Sequence, residues 1–428
     1  MKRKAVQNFG RIINTDENGT SLGDHPTKPF LGTAHLFEEG YVNLFGCSVN
    51  PFVEEFDDQL GVAVGGPNIH IYRMPVLEPK LELAAAGELD EEEDLYTVAW
   101  CYDKGENLHK IATGGVSGVV YIVDAASMEV QRQLLGAGNA INDIKTCPTD
   151  SEIIAAASAD RTIRIYHIKE PTCLILIGGR FSHHDSIVSI DWVSNAEKLY
   201  SCGFDHKVMC WDLNSRRVKA HIADCCRIIR SGQPLGDILE YSHSSGIQGV
   251  NQLFDLEGHT MLIKKPENSI NDVHFDCVDS LRVVDYKEKA YVISKSTGHG
   301  RKICFWRIGT FGQETEMVHR DEISTSHTKI AEMSIDDGYP WFGKIDVDVT
   351  GKWLAAPGDS GNIHLYNLKN RNERKAFLDL KVPDMKDTMI RQVMFSPNGR
   401  LLFVVGDAGF VARIDRVPDN ATNVVDVW

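Results

Sequence analysis

The chain has 428 residues, 43% of them hydrophobic, and a formal net charge of −15. That is enough apolar material for a large core, and the acidic balance opposes the phosphate attraction every nucleic-acid binder exploits, so direct DNA binding is excluded as the main role. No run approaches the roughly 18 uncharged apolar residues of a membrane span, and ten cysteines without any Cys-x-x-Cys spacing read as reduced, structural thiols.

Residues 1–40 read as an N-terminal extension. Met1-Lys2-Arg3-Lys4 is followed by polar residues and lacks the apolar stretch of a secretory signal, which predicts an intracellular protein. From 41 to 418 an apolar run that ends in an aromatic or apolar residue plus a polar one recurs, at 69–74, 119–124, 163–168, 208–213, 303–308, 363–368 and 410–415. Each copy follows two strand-like segments separated by polar turns, as in Ile187-Val188-Ser189-Ile190-Asp191-Trp192 and then Lys198-Leu199-Tyr200-Ser201-Cys202-Gly203. The pattern predicts an all-β, seven-bladed WD40 β-propeller, with most copies spaced near the ~40–45 residues of a blade. Residues 419–428 are left as a C-terminal tail.

Within the array, Phe45 and Tyr96 stand at matching intervals before Tyr72 and Val123, and Trp341-Phe342 at a nearby interval before Tyr366. Such positions fall on the innermost strands, so the rings either pack between blades or converge at one end of the channel, where aromatic faces attract a methylated ammonium. The acidic run Glu88-Leu89-Asp90-Glu91-Glu92-Glu93-Asp94 precedes Tyr96. It is either a plain solvated loop or, beside a cage, a device that gathers basic peptides.

In the fourth copy His183, Ser201, Asp205 and Trp211 imitate a catalytic triad, but the same spacing in a WD repeat makes a structural tetrad tying strands and turns together. His183-His184-Asp185 has the same explanation, so no metal is expected there. A stretch from about 214 to 271 interrupts the array, with Gly232, Pro234, Gly236 and the polar segment 242–246. It reads as an inserted loop region, either a partner-binding excursion or a tolerated surface insertion. No nucleophile elbow, His-Glu-x-x-His, phosphate loop or dinucleotide motif is found, which predicts no catalytic residues, no metal and no cofactor.

Several stretches carry a closer likeness: Asn43-Leu44-Phe45-Gly46, Leu95-Tyr96-Thr97-Val98-Ala99-Trp100, Gly138-Asn139-Ala140-Ile141-Asn142, Ser201-Cys202-Gly203-Phe204-Asp205-His206 and Ile390-Arg391-Gln392. Through them the chain resembles the EED, or extra sex combs, family of WD-repeat subunits of Polycomb repressive complex 2, over roughly 41–417. The resemblance implies a nuclear, non-catalytic scaffold for transcriptional repression that supports and allosterically activates a SET-domain histone methyltransferase of the enhancer of zeste type, alongside other Polycomb subunits. It also implies a trimethyl-lysine cage for a histone tail at Phe45, Tyr96, Trp341 and Phe342, with Asn142 and Arg391 lining the channel as peptide contacts. The opposite face would grip a helical segment of the methyltransferase. The sequence departs from the family at Phe342, where a Tyr is usual, and at Ala159 and Ala137, where Lys and His are usual. The competing readings are a WD40 adaptor of another complex, such as a ubiquitin ligase substrate receptor, and a propeller enzyme with an unmarked channel site.

Overall fold

The computed structural model describes residues 29–417 apart from 55–56, 135, 234, 236–259, 287–288, 299–300, 310–322, 324, 336–341, 359–360, 370–374 and 382–388, together with the short strand Gln7–Asn8. The strands form seven sheets, each with a core of four antiparallel strands taken largely in chain order. This is the seven-bladed propeller that the repeat spacing predicts. The recurring apolar runs become the third strand of each blade, for example Ile163–His167 in blade 3 and Val208–Asp212 in blade 4.

Blades are too small to bury their own apolar faces, so the core lies between them. Among the described residues, seven apolar clusters each join two neighbouring blades, such as Val62, Val64 and Ile69 with Leu95, Trp100 and Ile111 between blades 1 and 2. The clusters repeat around the ring, with Leu401, Phe403 and Val405 meeting Leu44, Cys47 and Tyr72 where blade 7 meets blade 1.

The ring closes differently from the sequence expectation. Phe30–Phe37 pairs with Phe410–Arg416 and supplies the fourth strand of blade 7, with the short Gln7–Asn8 beyond it, so the propeller begins before residue 41. The reason is physical: the free edge of Phe410–Arg416 would otherwise stand open, and an eight-residue strand rich in apolar side chains covers it. Phe30 is fully buried there, edge-to-face with Trp353 at 5.7 Å.

The 214–271 insertion is likewise built into the body at both of its described ends. Helix α1 (Arg216–Arg230), N-capped by Ser215, buries Val218, Cys225, Cys226 and Ile228 against the core between blades 3 and 4. Met261–Ile263 then adds in parallel to Ile175–Ile177 at the edge of blade 3, and Asn268–Ile270 completes blade 4. The segment 242–246 lies outside the described residues.

Candidate functional site

The innermost strands run along the channel, and side chains on them hydrogen-bond the backbone of the next blade. Thr97 Oγ1 accepts from Ile144 N, Asp143 Oδ2 from Ile190 N, Asp191 Oδ2 from Val283 N, Ser280 Oγ from Ile345 N and Asp346 Oδ2 from Phe395 N. Gln392 joins blade 7 to blade 1 by bonding both the N–H and the carbonyl of Cys47, and Trp100 Nε1 completes the circle by donating to the Ser48 carbonyl. This polar lining fixes the relative height of the innermost strands, and so of the residues that precede them.

Three of the four cage candidates meet at one mouth of the channel. The ring centroids of Phe45 and Tyr96 are 5.5 Å apart, those of Tyr96 and Phe342 6.0 Å, and those of Phe45 and Phe342 6.1 Å. Interplanar angles of 80°, 66° and 89° make every contact edge-to-face. Trp341 lies outside the described residues. Gly46 allows the first pair to approach, since a Cβ there would stand 2.9 Å from both the Thr97 Cα and the Tyr96 carbonyl oxygen. Burial pushes the Tyr96 phenol up, with Asp94 and Glu93 adding to the shift. Two members of the acidic run are structural, because Glu93 accepts from Ser117 N and Tyr121 Oη and Asp94 from Gly66 N, while Asp90, Glu91 and Glu92 are exposed beside the mouth.

Of the two candidate channel contacts, Arg391 adjoins a ring and Asn142 is tied to the next blade. The Arg391 guanidinium lies 5.1 Å from the Phe45 centroid and is held by both oxygens of Asp407 at 2.6 and 3.0 Å. Asn142 is buried and donates its Nδ2 to the Ile187 carbonyl at 2.7 Å. Not anticipated from the sequence was Lys344, whose buried ammonium reaches the Asn142 carbonyl at 2.7 Å and Asp143 Oδ1 at 2.9 Å. A lone lysine two residues after Phe342 carries no local signal of a partner on the far side of a ring.

At the other mouth the innermost strands end around an open cavity of about 1050 Å³, lined by Trp100, Trp192, Tyr291, Phe305 and the exposed Val349. Its inner wall carries charge: Arg282 Nε stands 2.8 Å from Asp346 Oδ1 and its Nη1 3.7 Å from Asp191.

In blade 4, His183 Nδ1 is 2.9 Å from Asp205 Oδ1, His183 Nε2 is 2.8 Å from Ser201 Oγ, and Trp211 Nε1 donates to that same oxygen at 2.9 Å. Both His183 and Ser201 are buried and the serine oxygen is shared with an indole, so this is a strut and offers no accessible nucleophile. Blade 5 repeats it in part: His274 Nε2 is 2.7 Å from Ser294 Oγ, which accepts from Trp306 Nε1 at 2.9 Å. The sequence reading missed this copy because Gly298 stands where Asp205 stands in blade 4. His274 Nδ1 has no hydrogen-bond partner among the described residues, and burial, helped by Lys302 and Lys329, pushes the imidazole down to about 3. None of the ten cysteines is in a disulfide, and nine of them are buried. Among the described residues, no group of three His, Cys, Asp or Glu side chains has the geometry to hold a metal ion.

Residues 128–167 and 177–212 match the profile of the WD domain, G-beta repeat. Polycomb protein mes-6 of Caenorhabditis elegans is 33% identical over 445 aligned positions, which cover 95% of this chain and 96% of that one. Polycomb protein esc of Drosophila virilis is 26% identical, covering 92% and 87%. Among solved structures, a chain of the Chaetomium thermophilum Polycomb repressive complex 2 bound to the inhibitor GSK343 superposes with a TM-score of 0.71 at 17% identity, over 92% of this chain and 99% of that one. A chain of the same complex described as bound to H3K27me3 and H3K27M gives 0.69 at 16% identity, over 92% and 98%. With a relative at this identity spanning nearly all of both sequences, the chain belongs to the WD-repeat Polycomb proteins of the EED, or extra sex combs, family.

Proposed function

We propose that the protein is the non-catalytic propeller subunit of a nuclear Polycomb-type histone methyltransferase complex that represses transcription. It reads a trimethylated lysine on a histone tail with Phe45, Tyr96, Trp341 and Phe342, and Asn142 and Arg391 border the peptide. At the other mouth it grips a helical segment of an enhancer of zeste-type SET-domain subunit, which it supports and allosterically activates.

The observation that carries this reading is the convergence of Phe45, Tyr96 and Phe342 at a channel mouth. Three π faces attract a methylated ammonium by roughly 0.5–2 kcal/mol each and ask no hydrogen bond of it. Replacement of the usual Tyr by Phe at 342 keeps the π face and removes only a hydroxyl. The exposed carboxylates of Asp90, Glu91 and Glu92 favour a tail rich in Lys and Arg. The aromatic cavity at the opposite mouth suits the apolar face of a helix.

Calorimetric titration of trimethylated and unmodified histone-tail peptides tests the cage. The trimethylated peptide should bind the wild type more tightly, and Tyr96→Ala should erase the difference; equal affinities in both proteins would remove tail reading from the account. Affinity purification with mass spectrometry tests the assembly, and recovery of cullin-type partners in place of a SET-domain subunit would overturn it.

A further inference from the structure

We infer that Lys344 is a positioning residue of the cage: with Asp143 and the Asn142 carbonyl it forms a bolt across the channel that sets where Phe342 stands and closes the floor beneath the three rings. The inference rests on the cage reading and goes beyond it, because Lys344 is not one of the aromatic residues that would touch the ligand.

Lys344 lies just ahead of the innermost strand of blade 6, and its ammonium contacts blade 3, 201 residues away in sequence. The receiving end is rigid. Asp143 also accepts from Ser189 Oγ and Ile190 N, each at 3.0 Å, contacts Thr97 Oγ1, and stands 3.5 Å from Lys145. The bolt is therefore anchored to blades 2, 3 and 4 together. Burial alone would push the Asp143 carboxyl up, but Lys145 and Lys344 outweigh it and hold the group ionised well below the usual carboxylate range.

The main chain around Lys344 is pinned from the other side. Lys344 N donates to the Arg391 carbonyl at 2.8 Å, and Gly343 N is 3.3 Å from Asp279 Oδ2. Arg391 thus links two rings of the cage, since its carbonyl holds Lys344 while its guanidinium stacks on Phe45. Phe342 itself has φ +65°, a left-handed conformation that a bulky residue keeps only when its neighbours impose it. The ammonium is 5.4 Å from the Phe342 centroid, so moving the lysine frees the space beneath the ring.

Stability does not account for this arrangement. Burying an ammonium in a channel is costly, and buried ion pairs are commonly replaceable by apolar residues with no loss of stability. Burial pushes the Lys344 amine down to about 8, and Lys145 and Arg282 oppose its charge further while Asp143 supports it. What an apolar side chain cannot do is hold two walls of the channel at a fixed separation through directed hydrogen bonds.

Two measurements on the full chain test the inference. In titrations of the trimethylated and unmodified peptides, Lys344→Met should reduce the preference for the trimethylated form about tenfold, because displacements near 1 Å disable a multi-ring contact. Lys344→Arg, which can still reach Asp143, should restore part of it; a wild-type preference that Lys344→Met retains in full refutes the inference while leaving the cage intact. The second readout needs no ligand: crystal structures of the wild type and Lys344→Met should show Phe342 displaced from Phe45 and Tyr96, and ring separations unchanged from 6.0 and 6.1 Å overturn the proposal even if the wild type shows no peptide preference. Should Lys344→Met fail to fold, Asp143→Asn, which keeps shape and acceptor oxygen but removes the charge, is subject to the same two readouts.

Discussion

Gly46 shows how a residue without a side chain controls those beside it. A methyl at that position would collide with backbone atoms of Thr97 and Tyr96, which belong to the neighbouring innermost strand and cannot rotate away. Gly46→Ala should therefore lower the melting temperature and weaken trimethyl-lysine binding together, whereas Ser201→Ala should separate the two effects. The serine variant strips a partner from both the His183 imidazole and the Trp211 indole, at a cost of about 2–3 kcal/mol in denaturant unfolding, and leaves peptide affinity unchanged. The two copies of that hydrogen-bonded set were not equally legible in the sequence. His183, Ser201, Asp205 and Trp211 announce themselves because all four members are present in one repeat, while His274, Ser294 and Trp306 escape notice once Gly298 replaces the carboxylate. Lys344 was beyond reach for another reason, since the partner that gives it meaning lies 201 residues away.

The elements at the seams of the ring do most to hold it. The innermost, second and third strands of a blade follow one another closely, so their apolar alternation was legible without coordinates. The closing strand Phe30–Phe37 was not, because its partner Phe410–Arg416 lies at the other end of the chain and nothing local distinguishes it from an extension. A chain truncated to begin at Tyr41 should lose a single cooperative unfolding transition by calorimetry, and one that begins at Pro29 should keep it. Helix α1 was hidden for a comparable reason: the Gly- and Ser-containing portion of the insertion dominated the reading, although Val218, Cys225, Cys226 and Ile228 line one face of a helix. Ile228→Ala should destabilise the protein by about 2–5 kcal/mol, as for other aliphatic truncations in a packed core.

Across the whole molecule, burial of neutral imidazoles sets a response to acid. His274 is pushed down to about 3, and His167, chiefly by burial, to about 4, against about 6.5 for histidine in an unfolded chain. Between those values the unfolded chain binds protons that the folded propeller excludes, so stability is complete above pH ~6.5 and falls as the pH drops from there towards 4. Denaturant midpoints measured from pH 7.5 to 5 should decline, and His274→Asn should flatten part of that slope; an unaltered slope in the variant would assign it to other groups.

The strand Phe30–Phe37 leaves the ribosome long before its hydrogen-bonding partner Phe410–Arg416. Until some 380 further residues have been translated, as the Thr33 to Arg413 contact spans, this greasy segment has no native place to lie. The nascent polypeptide therefore carries an unsatisfied sticky strand throughout that interval, the circumstance in which chaperone capture is most useful.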